Sequence, residues 1–249
     1  MEHVRLAEDR IEEFDNAATA QHTIDPVKEI IRRSIPRDNL VFVDVGGGNG
    51  TFLDNLLQDF PHAKGVNIDR SPLMCEKNQT NERKTVHCGD FMSWSEQRTK
   101  ENSRVDVVFF NFVLHHFVSS THAESVAAQQ AALEVASKIL CDDGLIVVYE
   151  INYNGWLVDD FPGKLIHWFT SSRRLSLFVK AMGANTAGYG VCFHSERSWK
   201  YFFSKAGLSI LHQHQIVSGE FRGFKPIMHK LVLNIRSMDY KIYCLIKST

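Results

Sequence analysis

The sequence of 249 residues predicts an α/β fold built on a parallel sheet, and two observations support this prediction. Residues 41–54 read VFVDVGGGNGTFLD, so an apolar run ends in a glycine cluster and continues as a helix. Between Val41 and Ile151, apolar strand-like segments then alternate with helical segments. This alternation is typical of a parallel sheet whose strands are joined by helical crossovers.

Composition and charge argue against several classes of protein. Hydrophobic residues make up 44% of the chain and charged residues 23%, as in ordinary globular domains. The formal net charge of −1 gives no global electrostatic case for binding nucleic acid. The five cysteines are scattered and form no C-x-x-C pair, so we expect reduced thiols in a cytoplasmic protein rather than disulfides or a zinc site. The charged N-terminus and the lack of a long apolar run predict neither a signal peptide nor a membrane-spanning helix.

The glycine turn after the first strand narrows the class of ligand. The dinucleotide-binding pattern G-x-G-x-x-G, started at Gly46, would require a glycine at position 51, where the chain has Thr51. The turn instead reads D-x-G-x-G-x-G from Asp44 to Gly50. Such a turn before a helix favours a nucleotide-like ligand, because glycine lets the backbone approach closely and the helix N-terminus offers unpaired N–H groups.

Acidic residues follow the next two predicted strands. The strand at 64–68 is followed by Asp69, about 20 residues beyond the glycine turn, where a carboxylate can accept both ribose hydroxyls of a nucleoside. The alternative is that Asp69 caps the helix predicted over 73–81. The strand at 84–87 is followed by Asp90, which in isolation would be a turn residue.

Two more strands complete the alternating region. A polar stretch at 93–104 precedes the nearly continuous apolar run 105–110, as expected for a central strand buried on both faces. A helix predicted over 123–140 leads to a strand at 145–150. Ligands of open α/β sheets bind outside the carboxyl ends of the strands, so we expect residues 111–117 to lie where cofactor and substrate meet.

Helical segments are predicted on both sides of this region. We expect one helix at 1–22 and a second that begins at Asp25 and Pro26, since Asp caps helices and Pro suits their first position. Residues 151–195 are rich in aromatic and aliphatic side chains, which predicts a helical cap over the edge of the sheet. This cap could be a substrate lid, a dimer interface or a membrane-surface contact.

The C-terminal part of the chain predicts a helix and two strands. The helix spans 195–207, and the strands span 208–216 and 228–237 with a turn region between them. A short apolar tail at 239–248 could add another strand.

Five segments together resemble the motifs of class I S-adenosylmethionine-dependent methyltransferases of the small-molecule type. They are the glycine turn at 44–50, the acid Asp69, the Gly-Asp pair at 89–90, the Leu-His-His-Phe segment at 114–117 and the strand that ends at Glu150. The resemblance implies a three-layer α/β/α sandwich with N-terminal helices and a helical cap. Its seven-stranded sheet would be mostly parallel with an antiparallel last strand, and NAD-binding Rossmann domains lack that terminal hairpin.

The resemblance also implies how the chain is divided. Residues 1–249 would form a single methyltransferase domain with N-terminal helices at 1–36 and the cofactor-binding core at 37–151. Residues 152–194 would be a helical cap or lid insertion, and 195–249 the last sheet helix and the C-terminal hairpin.

S-adenosyl-L-methionine is the cofactor that the resemblance implies. The expected cofactor-binding residues are Asp44, Gly46, Gly48, Gly50, Asp69, Arg70, Asp90, Phe91, Asn111 and Phe112. In the family, the acid of the Gly-Asp pair meets the adenine amino group and the next residue packs on the ring, and these roles fall on Asp90 and Phe91. Asp44 is expected to fix the loop rather than to act in catalysis.

The resemblance further implies transfer of a methyl group to a small molecule. The sulfonium is a strong leaving group, so a base is needed only where the acceptor must lose a proton. His115, His116 and Glu150 are the candidate catalytic residues, and a structural role for the histidines is the alternative. We expect O-methylation of an apolar or aromatic metabolite. The alternatives are a cyclase- or decarboxylase-like reaction that uses the cofactor without moving its methyl group, and a non-catalytic partner subunit.

No metal, nucleic-acid or integral-membrane partner is expected from the sequence. His212 and His214 would share one face of a strand, but no third metal ligand is evident near them. The expected partners are a small-molecule substrate and, as one reading of the cap, a second copy of the chain in a homodimer.

Overall fold

The computed structural model describes residues 21–172, 190–219 and 234–248. Most of the predicted first helix, part of the cap and part of the terminal hairpin lie outside the described residues. The described strands are β1 (Val41–Val45), β2 (Lys64–Asp69), β3 (Lys84–Cys88), β4 (Val105–Asn111), β5 (Leu140–Gly155), β6 (Leu208–Gly219) and β7 (Ile235–Lys247). The described α-helices are α1 (Gln21–Ser34), α2 (Thr51–Asp59), α3 (Pro72–Lys77), α4 (Phe91–Lys100), α5 (His122–Ile139), α6 (Phe161–Ser171) and α7 (Glu196–Lys205). A short 3-10 helix covers Leu114–His116.

The seven described strands form one sheet in the order β3-β2-β1-β4-β5-β7-β6. Strands β1 to β5 are parallel, and β7 lies antiparallel between β5 and β6. Val45 of β1 lies opposite Ile68 of β2 and Phe110 of β4, so the carboxyl ends of these strands meet at one edge. The predicted α/β fold with a mostly parallel sheet and an antiparallel last strand is confirmed.

Two apolar cores on opposite faces of the sheet produce the three layers. Successive side chains of a strand point to opposite faces, so Phe42 packs with α1 and α2 while Val43 packs with α4, α5 and α7. Strand β4 is buried on both faces over residues 105–110, as its continuous apolar run predicted. The edge formed by the strand ends is therefore supported from both sides.

The last strand differs from its predicted position. A strand was expected at 228–237 and a tail at 239–248, but β7 covers Ile235–Lys247, so the predicted tail is most of the strand. Residues 228–233 lie outside the described part of the chain. Strand β7 sits between two other strands and is covered on both faces, which explains its consecutive buried residues 242–245.

Strand β5 is longer than the sequence predicted. It was expected at 145–150, but it begins at Leu140 and pairs with β7 as far as Gly155. The predicted cap at 152–194 therefore begins inside a strand, and residues 173–189 of that cap lie outside the described residues.

Two helices also differ from their predictions. The polar stretch at 93–104 begins inside helix α4. This helix buries Phe91 and Trp94 on its apolar side. Helix α1 already includes Gln21 and contains Pro26, so its predicted start at Asp25 is wrong. Proline removes one backbone donor, and the helix continues past it. Among the described residues, no helix combines the length and apolar character that a membrane span requires.

Helix α7 packs against the terminal strands. Ser195 caps it, because its hydroxyl accepts the Ser198 N–H at 3.1 Å. The fully buried Trp199 ring stacks on Phe203 with 5.9 Å between centroids, and Phe203 meets Tyr243 of β7 edge to face. These aromatic contacts attach α7 to the sheet.

Replacing Trp199 with Ala should lower the free energy of unfolding by about 3–5 kcal/mol, because a fully buried indole leaves a cavity. Denaturant unfolding measures this change. Tyr201→Ala on the same helix is the matched control, since Tyr201 is 63% exposed and its removal should cost about 0.5 kcal/mol or less. Equal losses in the two variants would contradict this description of the core.

Candidate functional site

The glycine turn follows β1 through three left-handed residues. Gly46, Gly48 and Gly50 have φ values of +69°, +52° and +83°. A Cβ on Gly46 would lie 2.3 Å from the Cγ2 of Val113, so this position requires glycine for its backbone angle and for space. The backbone therefore follows a path at the carboxyl edge of the sheet that few other sequences could adopt.

Polar side chains from β1, β2, β4 and the residue after α3 lie around this turn. Asn111 donates to the buried Asp44 carboxylate at 3.4 Å, which joins the ends of β4 and β1. Asn67 donates to the Gly47 carbonyl at 2.9 Å, and Asn78 donates to the Gly48 carbonyl at 3.3 Å. The role of Asp44 in fixing the loop stays a prediction.

Sequence reasoning missed Asn67 and Asn78. A polar residue inside the otherwise apolar β2 was a usable signal for Asn67, because a buried strand position rarely carries an amide without a hydrogen-bond partner. No local signal pointed to Asn78, which reaches the glycine turn only through the folding of α3 against it.

Asp69 lies between the glycine turn and α3. Its carboxylate accepts the Gly48 N–H at 3.0 Å and the Ser71 N–H at 2.7 Å. Ser71, not Asp69, is the N-cap of α3, so the helix-cap alternative is wrong. Burial raises the pKa of Asp69, against the opposing effect of these N–H donors. A carboxylate has about four lone-pair sites, so the two N–H bonds leave acceptor capacity for hydroxyl groups.

Arg70 and Asp90 form an ion pair at the next strand end. The Arg70 Nε lies 3.2 Å from Asp90 Oδ1, and the guanidinium lies 5.9 Å from the centre of the Phe117 ring. Asp90 precedes α4 but makes no side-chain cap bond to it. Phe91 is buried against Phe110, with 5.6 Å between ring centroids, so its ring belongs to the core. This differs from the expected packing of the ring on adenine.

Phe112 is strained at the end of β4. Its φ of +50° is uncommon for a residue with a Cβ, and such outliers concentrate at functional sites. The Phe112 N–H donates to the Tyr149 carbonyl at 2.9 Å, and the two rings lie 3.9 Å apart. The Phe112 ring is therefore part of the core, and the turn it makes directs residues 113–117 over the sheet edge.

His115 and Glu150 form a buried pair across the ends of β4 and β5. The His115 Nδ1 lies 2.9 Å and 3.1 Å from the two carboxylate oxygens of Glu150, and the His115 N–H also donates to that carboxylate. Phe193 stacks on the His115 ring at 4.6 Å between centroids. Charged groups are buried only when they are paired, and Glu150 is fully buried.

His116 occupies a different environment. It is half-buried, and its ring centroid lies 4.1 Å from that of His115. Burial, followed by the proximity of His115, lowers the pKa of His116 well below its usual range. His116 is therefore neutral near pH 7, and it is the more exposed of the two rings.

These residues lie together because their strands are parallel. The residues that follow β1, β2, β3 and β4, and the last buried acid of β5, fall on the same edge of the sheet. His212 and His214 lie elsewhere, exposed on the edge strand β6.

A family model described as a methyltransferase domain matches residues 18–213. The chain belongs to the methyltransferase domain family. S-adenosyl-L-methionine is the cofactor that this family match implies.

Two curated methyltransferases are similar over part of the chain. Flavonoid 7-O-methyltransferase 1 of Ocimum basilicum is 26% identical over 172 residues, which is 66% of this chain and 41% of that protein. Ribosomal RNA small subunit methyltransferase A of Cupriavidus metallidurans is 26% identical over 142 residues, which is 51% of this chain and 50% of that protein. The chain thus matches half or less of each relative's length.

Two solved structures share the fold over nearly the whole chain. The cyclopropane synthase MmaA2 from Mycobacterium tuberculosis has a TM-score of 0.58 at 14% identity, with 98% of this chain and 90% of that chain covered. The 1,6-didemethyltoxoflavin-N1-methyltransferase from Burkholderia thailandensis, solved with S-adenosylhomocysteine, has a TM-score of 0.55 at 13% identity, with 97% and 85% covered.

Replacing Gly46 with Ala should abolish measurable binding of S-adenosylhomocysteine by calorimetry, because the new Cβ would collide with Val113 and displace the turn. Gly207→Ala is the matched control: its φ is +70°, but nothing lies within 4 Å of the added carbon. The control shares the backbone strain without the collision, so its affinity should be unchanged. Wild-type affinity in the Gly46 variant would exclude the turn from the cofactor site.

Replacing Asp69 with Ala should weaken cofactor binding by about 1.5–3 kcal/mol, or about 10- to 150-fold, through loss of charged hydrogen bonds to the ribose. Calorimetry with S-adenosylhomocysteine measures the change. Asp142→Ala removes a fully exposed carboxylate and serves as the control. An unchanged dissociation constant for the Asp69 variant would refute the ribose assignment.

Proposed function

We propose that the protein transfers the methyl group of S-adenosylmethionine to an oxygen atom of a small, apolar or aromatic metabolite. The observation that carries this proposal is the buried His115–Glu150 pair, which stands at the same sheet edge as the glycine turn. An acceptor hydroxyl must lose a proton during the transfer, and this pair is suited to take it.

The reaction is an in-line displacement at the carbon of a sulfonium. The acceptor oxygen forms a bond to the methyl carbon, the carbon–sulfur bond breaks, and sulfur leaves as a neutral thioether. The chain's residues have to orient the acceptor, exclude water and accept the hydroxyl proton.

His115 is the proposed base because Glu150 fixes its ring. With Nδ1 held against the carboxylate, Nε2 is the nitrogen left to receive a proton. The fully buried Glu150 stabilises the imidazolium that forms, so it acts as a positioning residue. The lowered pKa of His116 makes that ring a poor proton acceptor, and we assign it to the lining of the acceptor site.

Aromatic residues beside the base support an aromatic acceptor. Phe193 stacks on His115 and also contacts Tyr153. The centroids of the Phe193 and Tyr153 rings lie 4.9 Å apart. The flavonoid 7-O-methyltransferase relative supports the same class of acceptor, although the similarity covers 41% of that protein. We assign residues 152–194 to acceptor selection, with a homodimer through this cap as the alternative.

Replacing His115 with Asn should lower kcat for a phenolic acceptor by about 10²–10⁴-fold while leaving the dissociation constant of S-adenosylhomocysteine unchanged. Formation of S-adenosylhomocysteine is the measured product. Glu150→Gln should lower kcat less than His115→Asn does, because it keeps the hydrogen bond to Nδ1 but removes the charge.

Acceptor acidity separates base catalysis from a structural defect. A phenol acidic enough to be ionised in solution needs no base, so it should recover most of the activity of the His115 variant. His62→Ala changes an exposed histidine outside the site and should behave as wild type. A defect in His115→Asn that is equal for acidic and ordinary phenols would rule out its role as base.

A further inference from the structure

A cluster of two histidines and one cysteine lies close to the proposed base, His115. His122 begins α5, while Cys192 and His194 belong to the segment that precedes α7. One nitrogen or sulfur atom from each of the three lies within 4.8 Å of the others. The described residues contain no other group of three or more His, Cys, Asp or Glu side chains that could hold a metal ion.

The distances within this cluster suit a tetrahedral metal. The Cys192 Sγ lies 3.6 Å from the Nε2 of His194. Bonds from zinc of about 2.3 Å to sulfur and 2.0–2.1 Å to nitrogen, at a tetrahedral angle, place the two ligand atoms about 3.6 Å apart. The third atom, from His122, lies within 4.8 Å of the other two, so coordination requires it to move closer.

The surroundings of the cluster resemble a metal site in a second respect. Cys192 and His194 are fully buried, and the buried His122 Nε2 has no hydrogen-bond partner among the described residues. The Nδ1 of His194 lies 3.5 Å from the Asp160 carboxylate. Metal-bound histidines commonly direct their second nitrogen at a carboxylate, which fixes the tautomer and the ring.

The competing interpretation is a hydrogen-bond network without metal. The His194 Nε2 lies 2.6 Å from the Oε1 of Gln129, and coordination through Nε2 would replace that bond. Gln129 would stay in place, because its amide nitrogen donates to the carbonyls of Leu114 and Cys192 at 3.0 Å and 2.8 Å. Within the part of the chain that the structure describes, this network gives the buried His122 nitrogen no partner.

The types of side chain agree with metal binding. On coordination the Cys192 thiol would release its proton. Neutral imidazole and thiolate are ligands that zinc and similar borderline-soft ions prefer.

We propose that His122, Cys192 and His194 form a binding site for Zn²⁺, with a fourth position open to water. The bound ion would join α5 to the segment before α7. Phe193 lies between two of the ligands and stacks on His115, and the Cys192 N–H donates to the His115 carbonyl at 2.9 Å. The ion would therefore hold the aromatic wall of the site in position, and its binding does not depend on the reaction proposed above.

Cobalt titration of the chelator-treated full chain tests the proposal. Co²⁺ replaces Zn²⁺ in such sites and reports its ligands by absorption. We expect one Co²⁺ per chain, d–d bands of tetrahedral intensity and a thiolate-to-cobalt charge-transfer band, all removed by excess Zn²⁺. Cys192→Ser should eliminate the charge-transfer band, and His122→Ala should weaken binding by about 100-fold or more.

The exposed pair on β6 supplies the matched control. The double variant His212→Ala/His214→Ala removes two histidines away from the cluster and should bind Co²⁺ as the wild type does. Far-ultraviolet circular dichroism shows whether each variant is folded. As a measurement that needs no variant, the melting temperature of the wild type should rise when Zn²⁺ is added. Absence of stoichiometric binding in the wild type, a charge-transfer band that survives in Cys192→Ser, or loss of binding in the β6 variant would each overturn the proposal.

Discussion

The path of the backbone through Gly46–Gly50 constrains the positions of the side chains that pack around it at the carboxyl edge of the sheet. Three left-handed residues let the chain leave β1, pass against Val113 and enter α2. Hydrogen bonds from Asn67 and Asn78 and to Asp69 then hold the turn against β2 and α3. Each bond contributes about 1 kcal/mol, so the turn is fixed by several modest interactions acting together. The backbone N–H groups of Gly46, Gly47, Gly48 and Gly50 are themselves used in such internal hydrogen bonds.

A second constraint is the burial of Glu150. A carboxylate without solvent is unstable unless donors surround it, and the ring and backbone N–H of His115 provide them. The same contacts that make the buried charge tolerable also fix the imidazole. Stability and the proposed chemistry therefore depend on one interaction, which ties the end of β4 to β5.

The segment before α7 connects this pair to the rest of the cap. Its bridge to β5 at Asn152 and its hydrogen bond to the His115 carbonyl hold it beside the sheet edge. Phe193 faces the proposed base, whereas Cys192 and His194 face α5 and α6. The histidine and cysteine cluster and the proposed base therefore both contact this one short segment.

The sequence by itself determined the order of strands and helices from β1 to β5, the glycine turn and the acids that follow the strands. These features depend on local periodicity, glycine placement and residues adjacent to strand ends, all of which are readable along the chain. Tertiary structure alone decided the position of β7, the contacts of Asn78 and the grouping of His122 with Cys192. Those features arise between segments far apart in sequence, where packing rather than any local pattern selects the partners. For the same reason, Phe91 and Phe112 were predicted to bind the cofactor, yet their rings are packed into the core.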